Sequence, residues 1–264
     1  MRKIICALAA VLMLLGVQPV YAASPVKPFN WYCRHVKDGR QPACDAEMQF
    51  IEQYGGYYID KNNNDPEAAE KVIYLTFDAG YENGNVAKIL DAMREEQVSG
   101  AFFILENLAK QNPDLVKRMN DEGHLVCNHT ASHRDMTKCH SAEGFAAELQ
   151  KMENVCRECA GVEMAKYYRP PEGRFSEENL KFASEAGYKT VFWSFGYVDW
   201  DNERQMSQED ALEKILGGLH NGEVLLLHPT SATNAAIMRP LIQALRERGY
   251  RFGTLDELTA SPAA

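Results

Sequence analysis

Residues 71–80 read Lys-Val-Ile-Tyr-Leu-Thr-Phe-Asp-Ala-Gly, and this stretch decides the fold. Val72 to Phe77 is a short run of β-favouring residues, and Asp78 and a turn at Gly80 come straight after it. The next segment is helical: Asn85 to Gln97 carries Val86, Ile89, Leu90 and Met93 at helical spacing. The chain then repeats this order. Strands are expected at Gly100–Leu105, His124–Cys127, Tyr167–Tyr168, Lys189–Ser194, Glu223–Leu227 and Arg251–Thr254. Helices are expected after Pro113, stopped by Gly123, then after Ser141, after Ser176, after the capping pattern Ser207-x-x-Asp210, and over Asn234–Arg248 with a break or kink at Pro240. About seven strand–helix alternations are the signature of βα units around a parallel sheet, and that number suits a barrel better than an open two-layer sheet.

Before this pattern the chain is different. Arg2 and Lys3 precede an apolar run, Ile4 to Val17, and Val20-Tyr21-Ala22 ends in small residues suited to cleavage. That order reads as a secretory signal peptide over residues 1–22, because the run is shorter than the ~20 residues that span a bilayer. Removing it leaves 242 residues and moves the net charge from −9 to −11. No stable membrane insertion is expected after cleavage, and the location is secreted or in the cell envelope. The acidic balance, 28 basic against 37 acidic side chains, argues against a nucleic-acid binder, which needs a basic face. Residues 23–70 form an aromatic N-terminal extension with Phe29, Trp31, Tyr32, Tyr54, Tyr57 and Tyr58, expected to pack on the main domain. Residues 71–258 make the main domain and 259–264 a C-terminal tail. Past the leader, Cys33, Cys44, Cys127, Cys139, Cys156 and Cys159 remain. An exported chain permits disulfides, and Cys33 with Cys44 is the favoured pair because they flank a turn-like segment.

The polar residues fall where a barrel would gather them. Asp78, the pair His129 and His133, the stretch Arg169 to Arg174, Asp199 with Trp200, and His228 each follow a strand. In a βα barrel those loops share one rim, and that rim holds the active site. His129 and His133 stand four apart, so a helical segment would put both imidazoles on one face, ready for one metal ion. A histidine at position 228 can deliver a proton near neutral pH. Arg169 and Asp199 are expected to pair and to hold Asp78 or His228 in place. Trp200 is a candidate sugar platform.

Taken in order, these clusters resemble the five motifs of the polysaccharide deacetylase family: Thr76–Gly80, His129–His133, Arg169-Pro-Pro-Glu-Gly173, Asp199-Trp200 and Leu227-His228. The strings TFDAGYENG and RPPEGRFS, with Trp31-Tyr32 and Gly55-Gly-Tyr-Tyr58 in the extension, look closest to the delta-lactam-biosynthetic muramic acid de-N-acetylases. The resemblance implies an incomplete (β/α)7-type barrel with the extension packed on it. It also implies hydrolytic removal of an acetyl group from N-acetylmuramic acid in peptidoglycan glycan strands, linked to muramic δ-lactam formation in spore cortex. Deacetylation of N-acetylglucosamine, chitin oligomers or acetylated xylan is the alternative, as is an inactive wall-glycan-binding relative. In that scheme Asp78 is the base, His228 the acid, Arg169 and Asp199 orient them, and a divalent metal, zinc by preference, sits on His129 and His133. A backbone N–H near Pro171–Glu172 binds the oxyanion. Trp200, Arg174, Tyr81 and Glu172 contact the sugar, with Arg174 or Arg134 meeting the lactyl carboxylate. Ala79 stands where many family members carry a second aspartate as a metal ligand, which weakens the site. Glu82, Asp135, waters or substrate oxygens are the candidates to complete it.

Overall fold

A computed structural model describes residues 27–260. The leader reading therefore lies outside the described residues, as do residues 261–264. In chain order the strands are β1 (Phe29–Asn30), β2 (Gly56–Tyr57), β3 (Lys71–Ala79), β4 (Ala101–Ile104), β5 (Leu125–Asn128), β6 (Ala165–Tyr168), β7 (Arg174–Phe175), β8 (Lys189–Val191), β9 (Glu223–Leu227) and β10 (Tyr250–Phe252). The α-helices are α1 (Val86–Glu95), α2 (Glu106–Gln111), α3 (Pro113–Asp121), α4 (Ala142–Ala160), α5 (Glu177–Glu185), α6 (Gln208–Gly217), α7 (Ala232–Glu247) and α8 (Leu255–Ala260).

A curled parallel sheet with helices packed around it forms an incomplete (β/α) barrel. Its strands pair in the order β10-β3-β4-β5-β6-β8-β2, and β9 joins β3. β3 is the central strand, parallel to β4, β9 and β10. Side chains alternate across it. Ile73, Leu75 and Phe77 pack toward the helices, whereas Val72 and Tyr74 share the barrel interior with Phe103, Val191, Val224 and Leu258. The same alternation turns Thr76 and Asp78 inward near the end of the strand. β3 runs two residues beyond the apolar run, since Asp78 and Ala79 still pair with Phe103 and Ile104. Asp78 is thus fixed by the ladder itself and is not in a loop after it.

Serine caps start four of the surrounding helices. Ser141, Ser176, Ser207 and Ser231 accept hydrogen bonds from the N–H groups of Gly144, Asn179, Asp210 and Asn234, each contributing about 1 kcal/mol. Two expectations change. α2 has only six residues and no sustained periodicity, so the pattern did not reveal it. α7 runs unbroken through Pro240. Pro240 and Ala236, whose carbonyl loses its partner, both lie on the exposed face, while buried Ile237, Met238, Leu241 and Leu245 hold the helix.

The extension fills the barrel's weak seam. Between the chain after β8 and β9, the direct bridge is at Phe195 and Leu225. β2 pairs with β8, and Ile59 then bridges antiparallel to Glu223 of β9. Trp31, Met48, Ile51, Tyr58 and Ile59 bury against Phe175, Leu180 and Phe192. Cys33 and Cys44 are free thiols, as are the other described cysteines, so the expected Cys33–Cys44 bond is not formed. The turn is held instead by Asp45, which takes an ion pair from Arg34 at 2.6 Å and a hydrogen bond from the Tyr32 hydroxyl.

Candidate active site

Asp78 meets a buried guanidinium at the inner rim. Arg169 follows β6 directly, and its Nη1 donates to Asp78 Oδ1 at 2.8 Å. Nη2 donates to Thr76 Oγ1 at 2.9 Å and to the Phe192 carbonyl at 3.1 Å, and Nε donates to the Val191 carbonyl at 2.9 Å. The guanidinium also lies 4.2 Å from the centre of the Phe103 ring. Burial alone would raise the Asp78 pKa. The charge of the Arg169 guanidinium, the largest opposing cause, outweighs it and holds the carboxyl below its ordinary value. Asp78 therefore stays anionic, with Oδ2 left facing His129 Nε2 at 3.6 Å.

Across the rim, His228 has the opposite surroundings. It follows β9, and its Nδ1 lies 2.7 Å from Asp199 Oδ1. The other oxygen, Asp199 Oδ2, accepts from the His228 backbone N–H at 2.8 Å and from Asn234 Nδ2 at 2.6 Å. Burial would lower the His228 pKa, but the charge and hydrogen bond of Asp199, with Asp78 behind, raise it above the ordinary imidazole value. Asp199 consequently pairs with His228 and Arg169 with Asp78. The expected Arg169–Asp199 pair does not form, because each charge finds a nearer partner across its own strand end. Asn234, which orients Asp199 and also donates to the His228 carbonyl at 3.0 Å, was missed. Its only trace in the sequence is its place three residues after the capping Ser231.

The segment from His129 to His133 is a loop, not the helix that the spacing suggested. Local side chains take the backbone donors first: Thr130 N–H bonds Asn128 Oδ1 at 2.9 Å, and His133 N–H bonds Thr130 Oγ1 at 2.9 Å. The two imidazoles still meet, with ring centres 5.0 Å apart. His129 Nδ1 donates to the Arg169 carbonyl at 2.8 Å, which leaves the Nε2 lone pair free toward Asp78 and His133. Burial, opposed by Asp78 and aided by His133, pushes the His129 pKa down to about 4, so the ring is neutral as a ligand must be. These two nitrogens fit a metal. Among the described residues no third His, Cys, Asp or Glu joins them to complete a protein shell. Asp135 is engaged in capping Thr137, and Glu82 bonds the Gly84 N–H.

Between these groups lies a cleft of about 720 Å³. Asp78, His129, His133 and His228 line it, with Tyr81, Glu172 and Trp200 around them. Trp200 is 57% exposed, and its ring stands edge-on to His228 at 5.8 Å. Tyr81 accepts a 2.6 Å hydrogen bond from Asn202. Trp31 and Trp193 also line the cleft and were not foreseen there. Trp31 is distant in sequence, and Trp193 read as part of a strand. Three of the four described non-glycine residues with positive φ, Thr130, His133 and Glu172, belong to the loops of this site, where such backbone is most often tolerated. Arg174 is not among the lining residues, and it lies 3.3 Å from Asp135. Arg134 sits 4.0 Å from Glu148. Both side chains are part exposed and each faces an acid.

The barrel with an acid–base rim is an arrangement suited to hydrolysis, and the known proteins show which kind. Residues 65–191 match the polysaccharide deacetylase family model. The chain is 36% identical over 250 residues to the peptidoglycan-N-acetylmuramic acid deacetylase PdaA of Bacillus subtilis, covering 94% of this chain and 92% of that protein. It is 32% identical over 215 residues to a peptidoglycan-N-acetylglucosamine deacetylase of Bacillus cereus, covering 80% and 74%. The solved structure of B. subtilis PdaA, a family 4 carbohydrate esterase, superposes with a TM-score of 0.82 at 36% identity, over 90% of this chain and 99% of that one. The chain belongs to the polysaccharide deacetylase family, whose deacetylases are metal-dependent.

Proposed function

We propose that the chain hydrolyses the acetamide of N-acetylmuramic acid in peptidoglycan, releasing acetate and leaving a free amine on the sugar. The observation that carries this reading is the opposed setting of two groups on one cleft: Asp78 beside the Arg169 guanidinium, its pKa lowered, and His228 beside the Asp199 carboxylate, its pKa raised. Pairs of titratable groups driven apart in this way are how one site runs base and acid chemistry at the same pH. The muramic preference is supported by the relative named for that sugar, which matches 94% of this chain.

Asp78 takes a proton from water through Oδ2, the oxygen that Arg169 leaves free. The resulting hydroxide adds to the amide carbon. The backbone N–H of Glu172, on the cleft wall, donates to the oxyanion. His228, with Nδ1 bound by Asp199, presents Nε2 and protonates the departing nitrogen as the C–N bond breaks. Arg169 and Asp199 hold the two groups in register. A divalent metal, zinc by preference, would be held by His129 and His133 and would polarise the amide carbonyl. With Ala79 supplying no donor, that metal would be held weakly. Leu105 and Leu226 give the acetyl methyl an apolar wall, and Trp200 and Tyr81 flank the sugar. The protein acts outside the membrane, at the envelope. Among the described residues no helix is long and apolar enough to cross a bilayer. The freed muramic amine is the group that muramic δ-lactam formation in spore cortex consumes.

Mass spectrometry of peptidoglycan digested after incubation with the protein tests this. Loss of one acetyl assigned to the muramic residue is expected. Loss from glucosamine moves the reading to the N-acetylglucosamine deacetylases, and no loss with added zinc removes the enzyme reading.

A further inference from the structure

Among the residues lining the cleft, Trp31 alone comes from the N-terminal extension. It arrives along an edge pairing. β1 lies antiparallel to β7, with Phe29 opposite Phe175 and Asn30 opposite Arg174. The pairing then continues, and the Trp31 N–H donates to the Gly173 carbonyl at 2.7 Å. The Trp31 ring is buried. Its Nε1–H donates to the Trp193 carbonyl at 2.9 Å, and the ring stacks on Phe192 with centres 4.6 Å apart. Gly173 has φ of +65°, and a Cβ there would stand 2.8 Å from the Trp193 ring and 3.1 Å from Trp31 Cβ. Its neighbour Glu172 has φ of +56° without being glycine. Two successive left-handed residues persist only where the surroundings hold them. Here Trp31 and Trp193 form the surroundings. The Gly173 N–H closes a turn onto the Pro170 carbonyl at 3.0 Å, whereas the Glu172 N–H has no backbone partner among the described residues.

We propose that Trp31 is a positioning residue for the hydrolysis: its ring, anchored on Trp193 and Phe192, holds its backbone N–H against the Gly173 carbonyl, and this clamps the Pro170–Gly173 loop so that the Glu172 N–H is presented to the cleft. The catalytic part of this rests on the reading of that N–H as oxyanion donor; the clamp itself does not. A donor displaced by a fraction of an ångström loses most of its effect on the reaction and little of its effect on ground-state binding. The extension thereby completes the site as well as sealing the barrel seam.

The test compares the full mature chain with Trp31→Ala, Trp31→Phe and, as a control elsewhere in the extension, Tyr54→Phe. In the absence of substrate, exchange of the hydrogen-bonded amides of Gly173 and Arg174 should quicken by about tenfold or more in Trp31→Ala. It should change less than about threefold in the other two variants, with the β3–β5 amides unchanged in all. On glycan substrate, kcat should fall by about tenfold in Trp31→Ala with KM within about twofold, and Trp31→Phe should recover most of the rate. If Trp31→Ala does not fold, Trp31→Leu replaces it and should quicken exchange by at least about fivefold. Unchanged exchange at Gly173 and Arg174 overturns the clamp. Faster exchange with unchanged kcat overturns its catalytic part. A wild-type protein that releases no acetate counts against the proposed function alone, because the exchange measurement still decides the clamp.

Discussion

On the β3 side of the cleft, Asp78 is 10% exposed and faces an Arg169 with no exposure at all. On the β9 side, His228 is 24% exposed, and its partner Asp199 is the deeply buried member. The two pairs are mirror images in charge. In each, the orienting ion is sunk in the barrel and fully hydrogen-bonded, while the reacting ion sits at the surface of the cleft. A buried ion without partners would be costly, so Arg169 and Asp199 each satisfy their polar atoms several times over. The desolvated partner then positions the group in front of it and shifts its pKa, down for Asp78 and up for His228.

The comparison breaks most sharply at the base. Asp78→Asn keeps the shape and the Arg169 contact but removes the proton acceptor. The turnover number should fall about 10³-fold with KM changed only a few-fold. A loss below tenfold in steady-state kinetics would mean that some other group takes the proton from water, and the β3 side would be structural.

Metal binding separates the sides in a second way, since both imidazole donors belong to the Asp78 side. His133→Ala should lower affinity for added zinc by about 10- to 100-fold. Brief treatment with a chelator should strip the wild-type protein, as a two-nitrogen shell predicts. Direct metal titration reads both outcomes. Retention of a stoichiometric metal through prolonged chelation would show that further ligands exist.

The sequence made the strand ends visible but not the pairings between them. β9 matched its apolar run residue for residue, and the serine caps at 141, 176 and 207 marked where helices begin. Asp78, His129, Arg169, Asp199 and His228 were found because loops after parallel strands share a rim, a rule that needs no contacts. Which acid faces which base depends on barrel curvature and side-chain reach, and no periodicity encodes those. Arg169 thus reached Asp78, not Asp199. The His129–His133 spacing suggested a helix because four-residue separation is helical on average. Asn128 and Thr130 redirected the backbone with their own side chains. Trp31 and Asn234 lay beyond sequence reasoning for a related cause: each makes hydrogen bonds to residues distant in sequence, from a segment with no chemistry of its own.

On the β9 side, the sharper test is pH. In the proposed mechanism His228 acts in its protonated form, and its pKa in the folded protein is raised, chiefly by Asp199 against the effect of burial. The rate should therefore hold as pH rises past the ordinary imidazole value and fall only through the raised one. Asp199→Asn removes the charge, so the alkaline limb should move to lower pH by about one unit, with a rate loss of about tenfold above neutrality. The acidic limb, set by Asp78, should stay in place. A pH–rate profile of kcat shows both limbs together. If the alkaline limb did not move, the proton donor would be a group other than His228.

The smallest effect belongs to Trp200, which touches the β9 pair from outside. Its ring is 57% exposed and stands edge-on to His228, so it can act either on the sugar or on the imidazole. The two roles leave different kinetic marks. A platform for the sugar face stabilises ground state and transition state alike, so Trp200→Ala should raise KM about 3- to 10-fold and leave kcat within about twofold. A ring that tunes His228 would leave KM alone, lower kcat and displace the alkaline limb. The exposure favours the first outcome. Asp199 already holds the imidazole at Nδ1 and at the backbone N–H, which leaves the ring little to add to its orientation. Measuring kcat, KM and the pH profile on the same Trp200→Ala preparation decides between them, and a shifted limb with unchanged KM would place Trp200 among the groups that act through His228.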